Sequence, residues 1–214
     1  MNVRWMQRLL TMSLIAVGAA SSGCCAATPP AGWQTYRSPG YGFTINYPGD
    51  GSFTSGYQLD PLGSTISACN AASAACFQYK GHAFDGTIIE SLKVSVNILG
   101  DRGTEAECSD ISEQPVKTIL IHGARFHFAE TRGGGGDESE IINVYRAFHQ
   151  HICFEVTLAT VRFDYSPEEY EEYGLHPFDP CALRSAQDEM SRMLQSFTFT
   201  RRARNDRVFK HRVQ

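Results

Sequence analysis

The chain has 214 residues, 42% of them hydrophobic and 20% charged, and a formal net charge of −4. Beyond its N-terminus no apolar run is long enough to span a membrane, and the remaining length suits one ordinary domain with its own core. Residues 28 to 200 hold 22 acidic and 11 basic side chains, whereas residues 201 to 214 hold six basic and one acidic. So acidic a body excludes a nucleic-acid-binding face, which needs cations to neutralise phosphates.

At the N-terminus, Arg4 and Arg8 precede the apolar run LLTMSLIAVGAA, which gives way to SSGCCAA and then TPPAG. A basic end, a short apolar segment and small residues at a cut site are the parts of a bacterial secretory signal peptide, so residues 1 to 27 are expected to direct export. Two cleavage sites compete. Ser21, Ser22, Gly23 and Cys24 resemble a lipobox, with Ser21 where that pattern has Leu, and cleavage before Cys24 produces a lipoprotein. The triacyl group would anchor it firmly, since each buried methylene adds about 0.8 kcal/mol. Cleavage after Ala27 instead releases a soluble protein.

Residues 28 to 40 read as a tether punctuated by proline and glycine, and the domain is expected over residues 41 to 200. YGFTINYP alternates Phe43, Ile45 and Tyr47 with Thr44 and Asn46 as a first strand, ended by Pro48. A weak strand follows near Tyr57 to Leu59. CFQY and TIIESLKVSVNIL are strand-like, with Leu92, Val94, Val96 and Ile98 keeping a period of two. VKTILI and ARFHFAET form a hairpin across His122 and Gly123, and Gly133 to Gly136 with Asp137 form a flexible tip. IINVYRAF and ICFEVTLATV form a second hairpin turning at His149, Gln150 and His151. Ser166, Pro167 and Glu169 have the capping-box arrangement of a short helical turn. A final amphipathic helix starts at the Asp179 cap and Pro180, with Leu183, Ala186, Met190, Met193 and Leu194 on one face, and SFTF closes the fold as a strand. Residues 201 to 214 form a basic tail expected to be solvated and disordered, able alternatively to reach anionic lipid headgroups or the acidic body. The fold class is therefore α+β: an antiparallel sheet built of hairpins with a C-terminal amphipathic helix packed on it.

Outside the cytoplasm the cysteines read first as disulfides, because no Cys-x2-Cys spacing suggests a metal. Cys69 and Cys76 flank the loop NAASAA and can close it; Cys153 on a strand and Cys181 at a helix start can tie that helix to the sheet; Cys108 is the candidate unpaired thiol. Acylation of Cys24 leaves an even set, Cys25 included, and parity favours the lipoprotein. The connectivity stays open.

The start YRSPGYGFTINYP, the hairpins around IHGARFHF and the last helix running into MLQSFTF resemble the PsbP-like fold over roughly Tyr36 to Thr200. That resemblance implies a small extracytoplasmic domain of a group that includes photosystem-associated proteins and bacterial lipoproteins. The photosystem role is not carried over, because no motif here supports it.

Neither Gly-x-Ser-x-Gly nor His-Glu-x-x-His occurs, and the glycine run lacks a P-loop ending, so no catalytic residue is assigned and an enzyme is the less favoured reading. His149 and His151 flank one residue and in an extended chain project the same way; with His127 they are the candidate ligands for zinc or copper. DYSPEEYEEYGLH gathers Glu168, Glu169, Glu171 and Glu172 with Tyr165, Tyr170 and Tyr173, a solvated turn or a protein-contact patch rather than a calcium loop. The expectation is an exported, lipid-anchored envelope protein without a cofactor. It acts as a non-enzymatic binding or accessory module for an envelope protein partner, touching the membrane through its N-terminal lipid. The alternatives are a small-ligand or metal-binding protein, or an enzyme, with its site between sheet and helix.

Overall fold

The structure is a computed structural model that describes residues 32–55, 73–100, 103–111 and 116–200. The signal segment with Cys24, the weak strand expected near Tyr57, Cys69 and the basic tail lie outside these residues. In chain order the strands and helices are β1 (Trp33–Ser38), β2 (Phe43–Pro48), β3 (Phe53–Ser55), β4 (Ser73–Tyr79), β5 (Ile89–Ile98), α1 (Glu105–Ser109), β6 (Lys117–Ile121), β7 (Ala124–Gly135), β8 (Glu138–His149), β9 (Ile152–Phe163), α2 (Pro167–Tyr173), α3 (Pro180–Gln195) and β10 (Thr198–Phe199). Seven strands form an antiparallel sheet in the order β3-β4-β5-β9-β8-β7-β6, and β1-β2-β10 form a second, also antiparallel. The expected α+β class is what the chain adopts.

The period of two in β5 sends Leu92, Val94 and Val96 to one face, where the register sets Val94 beside Leu158 and Val96 beside Val156 of β9. Across that face runs α3, burying Ala186, Met190, Met193 and Leu194 and contacting β2, β5 and β9. Phe43 of the small sheet stacks on Phe197 with ring centroids 5.3 Å apart, and Phe154 meets both edge-on, so the two sheets and the helix share one core. Fully burying each such side chain contributes roughly 1.5–3 kcal/mol.

The start of α3 is as expected: Pro180 occupies the first turn and Asp179 accepts from the backbone N–H of Cys181 at 2.8 Å. Asp179→Ala should therefore cost about 1 kcal/mol in thermal denaturation, and Asp179→Asn close to nothing, because Asn supplies the same acceptor. The capping box at α2 also forms, Ser166 N–H donating to Glu169 Oε2 at 2.6 Å.

Three elements differ from the reading of the sequence. Trp33 to Ser38, assigned to the tether, is strand β1: it pairs with β2 along its length, Trp33 and Tyr36 pack on the core, and the Tyr36 hydroxyl donates to the Ala74 carbonyl at 2.9 Å. Of the glycine run only Gly136, with Asp137, forms the hairpin tip; Gly133, Gly134 and Gly135 are ladder, pairing with Glu140, Ser139 and Glu138. Gly134 sits at φ +137° and a Cβ there would run into the Glu138 carbonyl, so the glycine serves close strand approach. Finally, α1 was not foreseen, although Thr104 and Glu107 cap it reciprocally, Thr104 Oγ1 accepting from the Glu107 N–H and Glu107 from the Thr104 N–H. Five residues are too few to leave an apolar period in the sequence. Among the described residues no helix is long and apolar enough to cross a membrane.

Candidate functional site

Strand alternation gives the seven-stranded sheet two unlike faces. The far face, away from α3, carries Lys93, Ser95 and Asn97 of β5, Glu155 and Thr157 of β9, Glu140 and Arg146 of β8, and His127 of β7. The Ser95 and Thr157 hydroxyls bond to each other within it, and two larger polar groups form at opposite ends.

Beside α1, Arg146 Nε donates to Glu155 Oε2 at 2.8 Å, both side chains being only 13% exposed. Asn97 Nδ2 donates to Glu155 Oε1 at 3.2 Å, and Ser73 Oγ donates to Asn97 Oδ1 at 2.7 Å. Arg146 also donates to the Asp110 carbonyl just beyond α1, whose buried Cys108 is bonded to Cys153 of β9. The ion pair is thus satisfied on both sides, and its role is to hold α1 against the sheet. The outer contact, Arg125 Nη1 to Glu105 Oε1 at 3.2 Å, is exposed and adds little.

At the other end Glu140 is 1% exposed, and neither carboxyl oxygen finds a hydrogen-bond partner among the described residues. The register places Gly133, Glu140, Val161 and Ser91 in one cross-strand row, and the buried Ser91 hydroxyl is likewise unpartnered there. Burial pushes the Glu140 carboxyl up to about 7; Lys93 draws it partly back, and Glu138 and Glu90 push it further up. A carboxyl with that affinity exchanges its proton near neutrality, which is the property of general acids and bases and also of pH-responsive folds. The sequence reading passed over this residue. Its signal is alternation: Glu140 shares a face with Ile142 and Val144, a carboxyl at an apolar position of the strand.

The expected residues fall as follows. His127, 18% exposed, has Nε2 3.7 Å from Glu105 Oε1. It pairs in register with Arg146, three residues before His149, so His127 and His149 lie on opposite faces of the sheet. His149 instead stacks on Phe199, centroids 4.1 Å apart. His151 sits in the hairpin turn at φ 63°, after Gln150 at φ 49°, with its ring edge-on to Phe148. The extended geometry that would align His149 with His151 is lost in that turn. The three histidines do not converge, and among the described residues no group of three His, Cys, Asp or Glu side chains is placed to hold a metal.

The suggested Cys153 to Cys181 link and the unpaired Cys108 are corrected by the Cys108–Cys153 disulfide, because α1 brings Cys108 onto β9. Cys76 and Cys181 are disulfide-bonded as well. In the acidic segment Glu169 is spent as a cap, its carboxyl held below the usual range by the Ser166 N–H, while Glu168, Glu171 and Glu172 are exposed. Tyr165 stacks between Phe163 and Tyr173, at centroid distances of 5.2 and 4.6 Å. A shallow concavity of about 200 Å³ lies near Tyr79, His82, Asp85 and Ser91, smaller than the roughly 300–1,000 Å³ usual for ligand sites.

Fold and site together define an α+β domain whose sheet buries one face under a C-terminal helix and keeps a polar row on the other. No family model matches the chain, and no curated protein matches it. It is similar to a crystal structure from Bacteroides thetaiotaomicron VPI-5482 at 9% identity and a TM-score of 0.46, the match covering 78% of this chain and 48% of that one. The chain thus spans about half the length of that protein. It is also similar to a point mutant of the protein Mog1 at 10% identity and a TM-score of 0.39, covering 79% of this chain and 97% of that one. Likeness at this level carries no functional argument.

Proposed function

We propose that this protein is exported, anchored through lipid on Cys24, and serves in the cell envelope as a non-enzymatic binding or accessory domain of the PsbP-like kind. The observation that supports export most directly is the oxidised state of its cysteines: Cys108–Cys153 is closed, and Cys76 and Cys181 are disulfide-bonded too. Such bonds persist in oxidising compartments and are rare in the cytosol. The binding role rests on large side chains left exposed around an acidic body, Tyr41, Val116, Leu120 and Tyr173. The PsbP-like reading rests on element order, with hairpins leading into a capped amphipathic helix and a closing strand. The partner is an envelope protein, and the membrane is reached through the lipid.

The alternative, a small-ligand or metal site between sheet and helix, meets an interface already filled by Met190, Met193, Leu194, Phe154 and Phe197.

Intact-mass analysis of the native protein from membrane and soluble fractions, with and without reduction and alkylation, tests the proposal. The expected species is membrane-bound, starts at a triacylated Cys24 and has its six other cysteines oxidised; Cys24→Ser should move it to the soluble fraction. A soluble species starting at Thr28 with one free thiol would overturn the anchor.

A further inference from the structure

We infer that strand β6 is a self-association edge, and that the partner it fits is a second copy of this chain, paired antiparallel about a two-fold axis at Thr118. Among the described residues β6 ends the seven-stranded sheet, bonded to β7 on one side only. Among the described residues the other edge strand of that sheet is β3.

The hairpin geometry decides which backbone groups of β6 face outward. Ile121 and Ala124 flank a tight turn whose two residues, His122 and Gly123, have φ of 47° and 79°. This is the mirror-image turn type that closes on a hydrogen-bonded pair. Bonding then alternates along the strand, so Ile121, Ile119 and Lys117 bond to β7. The N–H and C=O groups of Thr118 and Leu120, and of Val116 just before the strand, point away from the sheet.

The side chains of those outward residues carry the argument for the occupant. Four large hydrophobic side chains are exposed among the described residues, and two of them are here, Val116 at 39% and Leu120 at 73%. Little on this strand blunts pairing: β6 is straight in register and holds no proline, and Lys117 is its single charge. A two-fold at Thr118 sets Leu120 of one copy opposite Val116 of the other, Thr118 opposite Thr118, and Lys117 opposite Ile119. Both exposed apolar side chains gain a cross-strand partner, threonine meets threonine, and no like charges face each other. The edge is complementary to itself, as an isologous interface requires. Three residues from each copy, Val116, Thr118 and Leu120, exchange backbone hydrogen bonds, a small contact that makes a reversible dimer rather than an obligate one.

Sedimentation equilibrium of the full-length mature protein in mild detergent, over a wide concentration series, tests this. Thr118→Pro removes an outward donor without touching a bond to β7, a placement proline tolerates at a sheet edge. Leu120→Lys puts a charge opposite Val116. Concentration-dependent dimerisation is expected, weakened about tenfold or more by either substitution, with circular dichroism and melting temperature unchanged. A monomer at every concentration overturns the proposal, as does a dimer indifferent to both substitutions. Dimerisation that emerges only after residues 201–214 are removed would overturn it too, by making the tail the occupant. Failure here leaves the lipid anchor untouched, since mass analysis reads that independently.

Discussion

Replacing Glu140 with Gln should stabilise the protein at neutral and mildly alkaline pH and flatten its dependence of stability on pH. The carboxyl is buried, unpartnered among the described residues, and holds its proton up to about 7, against an ordinary value of 4.5. The sign follows from which state binds the proton more tightly. Below 4.5 folded and unfolded chains both carry it, and the group sets no pH dependence. Between 4.5 and about 7 the unfolded chain releases a proton that the folded chain keeps, so stability falls as pH rises, by up to about 1.4 kcal/mol per unit. Above that window the loss is complete, roughly 3 kcal/mol. Melting curves taken across the window should therefore descend for the native protein, while Glu140→Gln stays level and melts about 5 °C or more higher at the alkaline end. Parallel curves for the two proteins would show that Glu140 has a charged partner in solution and that its burial costs nothing. Lys93→Met should extend the descent to higher pH and enlarge the total loss, because Lys93 is the charge that draws the carboxyl down.

Removing the Cys108–Cys153 bond should have the other large effect. The two cysteines are 45 residues apart, and closing a loop of that length restricts the unfolded chain by roughly 3 to 4 kcal/mol in the chain-entropy account. Both are buried, at 1% and 0% exposure, so the alanine pair also leaves unfilled volume under α1. Urea denaturation of Cys108→Ala/Cys153→Ala should show a lower midpoint. Limited proteolysis should cut first between residues 103 and 111, where no covalent bond then holds the helix and Arg146 to the Asp110 carbonyl and the Glu105 contacts remain. A midpoint equal to that of the native protein would mean that the Arg146–Glu155–Asn97 network fixes α1 without the covalent bond.

What could be read from residues alone was local. The cap at Asp179, the Met190 and Met193 stripe, the capping box at Ser166 and the alternation of Leu92, Val94 and Val96 each depend on neighbours within a turn or two of chain, and each is in place. Such patterns are legible because helix and strand periods are properties of the backbone. Where flanking signals were mixed the reading slipped. Proline and glycine around Trp33 suggested a tether, yet β2 offered that segment a pairing partner and the core offered Trp33 and Tyr36 burial. The glycine run resembled a loop tip, but Gly134 is needed where two strands approach too closely for any side chain.

Beyond the alternation that sets Glu140 with Ile142 and Val144, the candidate site could not be read this way, since it is a relation between strands. One residue of register decides the face, and register put His127 and His149 on opposite sides of the sheet while setting Glu140 beside Val161 and Ser91. The sequence by itself determined the acidic body, the α+β class and the last helix, because these follow from composition and short-range periodicity. Only the tertiary structure decided that Cys108 meets Cys153 and that, among the described residues, Glu140 is sealed with no partner and β6 is left at the edge of the sheet. Those three depend on contacts between segments far apart in the chain, whose energies exist only once the sheet has closed.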